Sequence, residues 1–427
     1  MNPPAASPTW FGHPRGLVFL FLTEMWEKFS FYGMRALQVY YMTKQLGFPQ
    51  GKASLIYGGY AAAVYLTPIA GAVIADRWLG RRRAVLIGGA TMALGHFLMA
   101  WEPAFFVAMA VIAVGNGLFL PSLPSQVGLL YKADDPRRES AFSVYYLGVN
   151  LGAFLAPLVC GTLGEVYGWH YGFGAAGVGM CLGLVIYCAG SRHLPADRPA
   201  RELSADAAAA GGWGGRVGLL VCVALAVVLF RSAYEQSGNT LALWLDASAD
   251  RHAGSFLIPA TWFQSLNPMM VFLLTPFVIA RWNRQGRRDA GPAPDLRRMG
   301  LGALGSGLAF AALAGVIASG AAHWGWVVLF FVVFTLAELY ILPVGLALFA
   351  RSAPPGYGAT AVAAWFLAAF AGNLLSGWVG TWWASFSPAG FFLAMAGVAA
   401  LSASLLGLLW WRRSAVRPES AVGSALA

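Results

Sequence analysis

Charge is scarce in this sequence: only 11% of its 427 residues are Asp, Glu, Lys or Arg. A soluble domain carries about 25%, so a water-facing globular surface is excluded. Cysteine is equally sparse. Cys160, Cys181, Cys188 and Cys222 all fall in apolar runs without paired spacing, which excludes a disulfide framework and a thiolate metal site. Neither metal-ligand spacing, a nucleophile elbow nor a phosphate loop is present, so no metal, cofactor or enzymatic chemistry is expected. The start, MNPPAASPTWFGHPRG, lacks a basic region followed by a short apolar core, so no cleavable signal peptide is expected.

Apolar residues, by contrast, make up 58% of the chain, and its mean hydropathy is +0.63. A spanning helix needs about 20 mostly apolar residues, rising about 1.5 Å each. The sequence predicts twelve, over 15–43, 53–76, 84–101, 103–131, 139–161, 171–191, 215–245, 254–281, 299–319, 324–350, 357–383 and 387–411. The fold class is therefore an all-α membrane protein. Pro121, Pro124, Pro157, Pro259, Pro268, Pro276 and Pro343 interrupt these runs, as suits kinked helices around a cavity.

The net charge of +10 is strongly one-sided. With the N-terminus inside, the cytoplasmic segments hold nearly every arginine, among them Arg81, Arg82, Arg83, Arg281, Arg297, Arg298, Arg412 and Arg413. The opposite side holds only Lys44, Lys52 and Arg251. This is the positive-inside pattern with both termini cytoplasmic, and it makes the lipid bilayer, not nucleic acid, the partner of the basic residues.

Residues 193–215 are polar and Pro- and Gly-bearing, and fall between the sixth and seventh runs. The expected organisation is a six-helix bundle (1–192), a cytoplasmic linker (193–214), a second bundle (215–412) and a tail (413–427). The halves share a short pattern. Val73-Ile74-Ala75-Asp76-Arg77-Trp78 leads to Gly80-Arg81-Arg82, and Val278-Ile279-Ala280-Arg281-Trp282 leads to Gly286-Arg287-Arg288. That spacing, about half the chain, suits a parallel internal repeat.

Within the spans lie four acids, Glu24, Glu27, Glu235 and Glu338, and three cations, Lys28, Arg35 and Arg231. An ionised side chain at a helix centre costs about 2.5–3.5 kcal/mol even on the lenient insertion scale, so these groups must face a protein-lined or wet interior. Glu24, Glu27, Lys28, Phe31 and Arg35 follow i, i+3, i+4, i+7 and i+11 and share one helix face. Glu24 with Lys28, and Arg231 with Glu235, are i, i+4 pairs. A static lattice of ion pairs is the bland reading; a set that binds and releases a proton as partners move is the functional one. Gly172-Phe173-Gly174-Ala175-Ala176-Gly177 matches a dinucleotide pattern, but no strand precedes it; it reads as close helix packing, as do Gly148 and Gly152. His96, near a span end, reads as a packing residue.

At these residues the chain resembles the proton-coupled oligopeptide transporters of the major facilitator superfamily, from about Trp10 to Trp411. The resemblance is carried by TEMWEKFSFYGMRA (23–36), by Gly71 to Arg83, and by FSVYYLGVNLGAFLAPLVCG (142–161) with GWHYGFG (168–174). It continues in YEQSGNTL (234–241) with FQSLNP (263–268), ELYILPVGLALF (338–349) and WFLAAFAGN (365–373). It implies two six-helix bundles that rock about a central site and import di- and tripeptides or peptide-like substrates by alternating access. The proton gradient would drive uptake, without a cofactor, in a monomer of the cytoplasmic (inner) membrane.

By the resemblance, Glu24, Glu27 and Lys28 serve proton coupling and meet the peptide carboxylate, while Arg35 and Glu235 close an outer gate. Glu338 and Asn267 hold the peptide amine, and Tyr32, Tyr65, Asn150 and Trp365 line the substrate site. Three departures stand out. Lys28 replaces the family's arginine, Phe31 replaces a tyrosine, and Leu120 replaces a lysine important for coupling, while Arg231 occupies a usually aromatic position. Arg231 is expected to replace the lost lysine in part, neutralising Glu235 in one state and freeing it in another. One protonation of the four-acid, three-base set makes it neutral. The alternatives are a non-peptide substrate with altered or absent coupling and, in another class, a membrane ligand sensor or embedded enzyme.

Overall fold

The computed structural model describes residues 9–10, 12–132, 134–195, 216–285, 292–353 and 357–415. In a bilayer every backbone N–H and C=O must be satisfied within the segment, and long Leu-, Ala- and Val-rich runs meet that demand as helices. The helices are α1 (Arg15–Tyr40), α2 (Gln50–Ile74), α3 (Arg81–Leu98), α4 (Phe105–Leu129), α5 (Arg137–Ala156) and α6 (Trp169–Gly190). They continue as α7 (Arg216–Tyr234), α8 (Thr240–Ser248), α9 (Leu266–Gln285), α10 (Ala293–Ala318), α11 (Trp324–Ser352), α12 (Gly358–Gly380) and α13 (Pro388–Ala415). Because α7 and α8 share one axis of travel through the membrane, Val217–Ser248, the described residues form the twelve rods the sequence predicts.

Ten of these rods are long and apolar enough to cross a membrane. The other two are α1, which carries Glu24, Glu27, Lys28 and Arg35, and α3, which begins on Arg81, Arg82 and Arg83. Their charge, not their length, sets them apart. Packing divides the rods into two six-helix bundles. In the first, α1 lies against α5 and α6, and α3 lies between α4 and α6; in the second, α10 lies against α11 and α13, and α7 against α12 and α13. The bundles meet where α2 runs along α12 and α5 along α9.

Glycine sets how closely these backbones approach. A Cβ at Gly152 of α5 would lie 2.1 Å from the Met25 carbonyl oxygen of α1, and one at Gly58 would lie 2.5 Å from the Gly377 backbone across the bundle interface. His96 is fully buried in the last turn of α3, as its packing reading expects.

Three local departures from the sequence expectation bear on function. The seventh span is not one helix: α7 stops at Tyr234 and a 3₁₀ turn, Glu235–Gly238, precedes α8. The eighth span begins late, because residues 252–257 form a two-stranded hairpin, β1 (His252–Ala253) with β2 (Phe256–Leu257), and the helical course resumes only at Ala260. Pro259 and Pro268 do not interrupt a helix: the first caps the turn Ala260–Ser265 and the second sits in the first turn of α9. The linker beyond Pro195, Gly286-Arg287-Arg288 of the repeat, and the tail beyond Ala415 lie outside the described residues. Ahead of α5, Arg137 donates to both Asp135 oxygens and to the Gly12 carbonyl, and its hydrogen bonds hold the Asp135 carboxyl down at about 2.

Candidate functional site

A cavity of about 240 Å³ opens where the two bundles meet. The first bundle contributes Tyr32 and Arg35 from α1, Tyr57 and Tyr65 from α2, and Tyr146 and Asn150 from α5. The second contributes Arg231 and Tyr234 from α7, Glu235 from the turn after it, Asn267 from α9 and Glu338 from α11.

Glu235 is the centre of this wall. Its Oε1 accepts from Nη1 of Arg231 at 2.9 Å, and its Oε2 accepts from Nη2 of Arg35. Each arginine is steadied by a tyrosine of α2. Arg35 Nε donates to the Tyr57 hydroxyl at 2.9 Å, and Arg231 Nη2 donates to the Tyr65 hydroxyl at 3.2 Å while its guanidinium lies 4.7 Å from that ring. The i, i+4 contact of Arg231 and Glu235 survives although α7 ends between them, because Tyr234 keeps helical backbone angles and the 3₁₀ turn takes up the course at Glu235. Charge-assisted bonds to one carboxylate from both bundles make this a clamp across the interface.

Elsewhere in the lining Asn267 Nδ2 donates to Glu338 Oε2 at 2.6 Å and to Thr335 Oγ1 at 3.1 Å. Asn150 Nδ2 donates to the Tyr146 carbonyl at 3.0 Å, which orients its amide along α5. The ionisable cavity wall thus pairs Arg35 and Arg231 with Glu235 and Glu338, a balanced set.

The remaining in-span charges sit elsewhere. Lys28 Nζ is 2.7 Å from Glu27 Oε2 and 3.4 Å from Glu24 Oε1, within the first bundle and off the cavity wall. Glu27 is 0% exposed, and neither of its carboxylate oxygens has a well-directed hydrogen-bond donor. The common helix face therefore carries two separate sites. Seven residues, about 10 Å along α1, part Lys28 from Arg35. The one excess acid of the four-acid, three-base set falls in this triad, not in the cavity.

Trp365 is a correction. It packs edge-on to Phe349, with ring centroids 5.4 Å apart, and its ring fills the space beside Gly345 in the core of the second bundle. It is not part of the cavity wall, because its face of α12 turns toward α11. Leu120, on α4, likewise does not line the cavity.

Bonds between the bundles gather at the end away from the arginine-rich loops. There Lys44 Nζ meets Asp246 at 2.6 Å, Ser54 Oγ donates to Asn239 at 3.1 Å, and Gln264 Nε2 donates to the Ala36 carbonyl at 3.1 Å. Glu165 accepts from the backbone N–H groups of Ala260 and Thr261 at 3.1 and 2.8 Å. A carboxylate at the start of a helical turn is favourable because it meets unsatisfied N–H groups. With Arg35 and Glu235 added, this end is closed in the structure. Sequence reasoning missed Glu165, which it left in a loop, and Tyr57, Tyr146, Tyr234 and Gln264, which carry no charge. Tyr234 had one signal, its place beside Glu235. Among the described residues no group of three or more His, Cys, Asp or Glu comes together to hold a metal ion.

Residues 82–209 and 216–393 match the family model described as the POT family. The chain is 32% identical to the peptide transporter YePEPT of Yersinia enterocolitica, over 87% of this chain and 88% of that one. It is also 32% identical to a di-/tripeptide transporter of Lactococcus lactis subsp. cremoris, over 84% and 88%. Its fold superposes on the crystal structure of a peptide transporter POT, a Glu-to-Gln mutant, with a TM-score of 0.86 and 31% identity, covering 95% of this chain and 96% of that one.

Proposed function

Because the chain belongs to the POT family, we propose that it imports di- and tripeptides or peptide-like substrates with protons, by alternating access in the major facilitator fold. It is a multi-pass membrane transporter and not an enzyme. The observation that carries the reading is the polarity of the cavity. Its lining combines the guanidinium groups of Arg35 and Arg231 with the carboxylate of Glu338, held by Asn267, which suits a zwitterion with a carboxylate at one end and an ammonium at the other.

The cycle follows from competition for the clamp. A substrate carboxylate that bonds Arg35 and Arg231 takes donors from Glu235 and so weakens the contact between bundles. Tyr65 keeps Arg231 aimed while Glu235 is exchanged. Tyr32 and Asn150 complete the wall between the charged ends. The proton has a different address. Glu24, Glu27 and Lys28 carry a net −1 with both carboxylates buried, and burial favours the neutral arrangement that one proton supplies. Arg231 holds Glu235 neutralised in the closed state and frees it when the substrate carboxylate takes its guanidinium, while Arg35, from the other bundle, leaves Glu235 as the bundles part.

The arginine-rich ends face the cytoplasm of the inner membrane, and so do both termini. The bundles correspond to residues 1–192 and 215–412, joined by the linker 193–214 and followed by the tail 413–427. The protein acts as a monomer, with the proton gradient as its driving force and no cofactor. Uptake of radiolabelled dialanine into proteoliposomes under an inward proton gradient tests this. Accumulation several-fold above equilibrium, collapsed by a protonophore, is expected; equilibration alone, or no uptake, would overturn it.

A further inference from the structure

A hollow of about 430 Å³ lies away from the transport cavity, at the arginine-rich end of the second bundle. Arg281 enters it from the last turns of α9, Arg297 and Arg298 from the second turn of α10, and Arg413 from the end of α13, beside Trp282 and Trp410. Arg298 stacks on Trp282 at 4.9 Å from the ring centroid, and its contact with Asp295 is a long 4.0 Å. Arg281, Arg297 and Arg413 make no ion pair or hydrogen bond with any described residue. The indole N–H of Trp282 is buried without an acceptor.

The matching basic stretch of the first bundle behaves differently. Arg82 donates to the carbonyl oxygens of Ser191, Leu194 and Pro195 at 2.9, 2.6 and 2.9 Å, so its charge is met within the chain. In the second bundle Arg281, Arg297 and Arg413 meet no such acceptor among the described residues. Directly deeper in the membrane, Leu301, Leu304 and Leu308 form an exposed ridge on α10 (51, 46 and 60% exposed) at the spacing of one helix face. A soluble anion would use only the arginines, whereas a phospholipid covers the ridge as well. Tryptophans at this depth suit the headgroup region.

We propose that this hollow binds the headgroup phosphate of an anionic glycerophospholipid, whose acyl chains lie along the Leu301–Leu304–Leu308 ridge. The site is independent of the transport reading. Native mass spectrometry of the full chain, titrated with cardiolipin, phosphatidylglycerol, phosphatidylcholine and inorganic phosphate, tests it. The unmodified protein should retain one anionic lipid at about tenfold lower concentration than phosphatidylcholine. Arg281→Gln/Arg297→Gln/Arg413→Gln should abolish that preference. Arg83→Gln/Arg284→Gln/Arg412→Gln, which removes exposed arginines outside the hollow, should keep it. Arg413→Gln alone, should the triple variant misfold, should weaken retention several-fold. Equal loss in both triple variants would reduce the effect to diffuse surface attraction, and competition by inorganic phosphate at equal phosphorus would indicate a free-anion site. Either result, or no preference in the unmodified protein, overturns the proposal.

Discussion

The two charge clusters of this protein share a helix yet differ in almost every physical respect. Glu24, Glu27 and Lys28 form a triad inside one bundle, its two carboxylates buried, unbalanced by one negative charge. Arg35, Arg231 and Glu235 with Glu338 form a balanced set that faces a cavity and ties two bundles together. Two buried carboxylates that share one cation are neutralised by one proton. A balanced set on a cavity wall can exchange its partners for a charged substrate at little electrostatic cost. On the proposed function, the difference divides the labour of a symporter into a proton address and a substrate address.

The sharpest way to break that comparison is to strip the triad of its cation. Lys28→Gln leaves two buried carboxylates unpaired, a loss of about 3–5 kcal/mol when one partner of a buried pair is removed. A large drop in melting temperature of the purified protein is expected, with most of it recovered in Lys28→Arg. An unchanged melting temperature would show that the triad is not a closed electrostatic unit.

Next in size is the clamp. Glu235→Gln removes the acid that both arginines share and should let the closed end open. In a cysteine-free background, labelling of Ser54→Cys by a membrane-impermeant maleimide should rise about tenfold when Glu235→Gln is added. Ser54 is fully buried at that end and bonded to Asn239, so an unchanged rate would mean Glu235 does not hold the bundles together.

Arg231→Trp gives the cavity cluster the same charge deficit that the triad already has. The cavity would then carry Arg35 against Glu235 and Glu338, a net −1. Loss of a charged hydrogen bond costs about 1.5–3 kcal/mol, so dialanine uptake should fall at least tenfold and require a more acidic medium. Uptake unchanged in rate and pH profile would remove Arg231 from the mechanism. The smallest effect is expected at Trp365→Phe, which trims a ring packed on Phe349. Stability should fall by about 1–3 kcal/mol while KM for dialanine moves less than twofold.

Much of this was legible in the sequence because its signals were rare. A charge in an apolar run is conspicuous, so Glu24, Glu27, Lys28, Arg35, Arg231, Glu235 and Glu338 stood out before any helix was placed. Twelve apolar runs gave the rods, since a bilayer admits few other solutions. What stayed hidden is what periodicity does not encode. The break after Tyr234 is one, because no proline marks it and the apolar run resumes after the short polar stretch 235–240. Glu165 was passed over since its value depends on helix-start N–H groups from the other bundle. Trp365 misled because aromatic residues serve core and cavity alike. The split of the α1 face into two sites needed the third dimension: i, i+4, i+7 and i+11 share an azimuth but not a depth.

The central claim is that the coupled proton resides on the α1 triad and not on the clamp. Dialanine-driven proton influx into proteoliposomes, read by a trapped pH dye, tests it in Glu27→Gln. The variant should lose proton influx with dialanine while retaining counterflow exchange within a few-fold of the unmodified protein. Proton influx that persists at the unmodified ratio to dialanine would contradict the account.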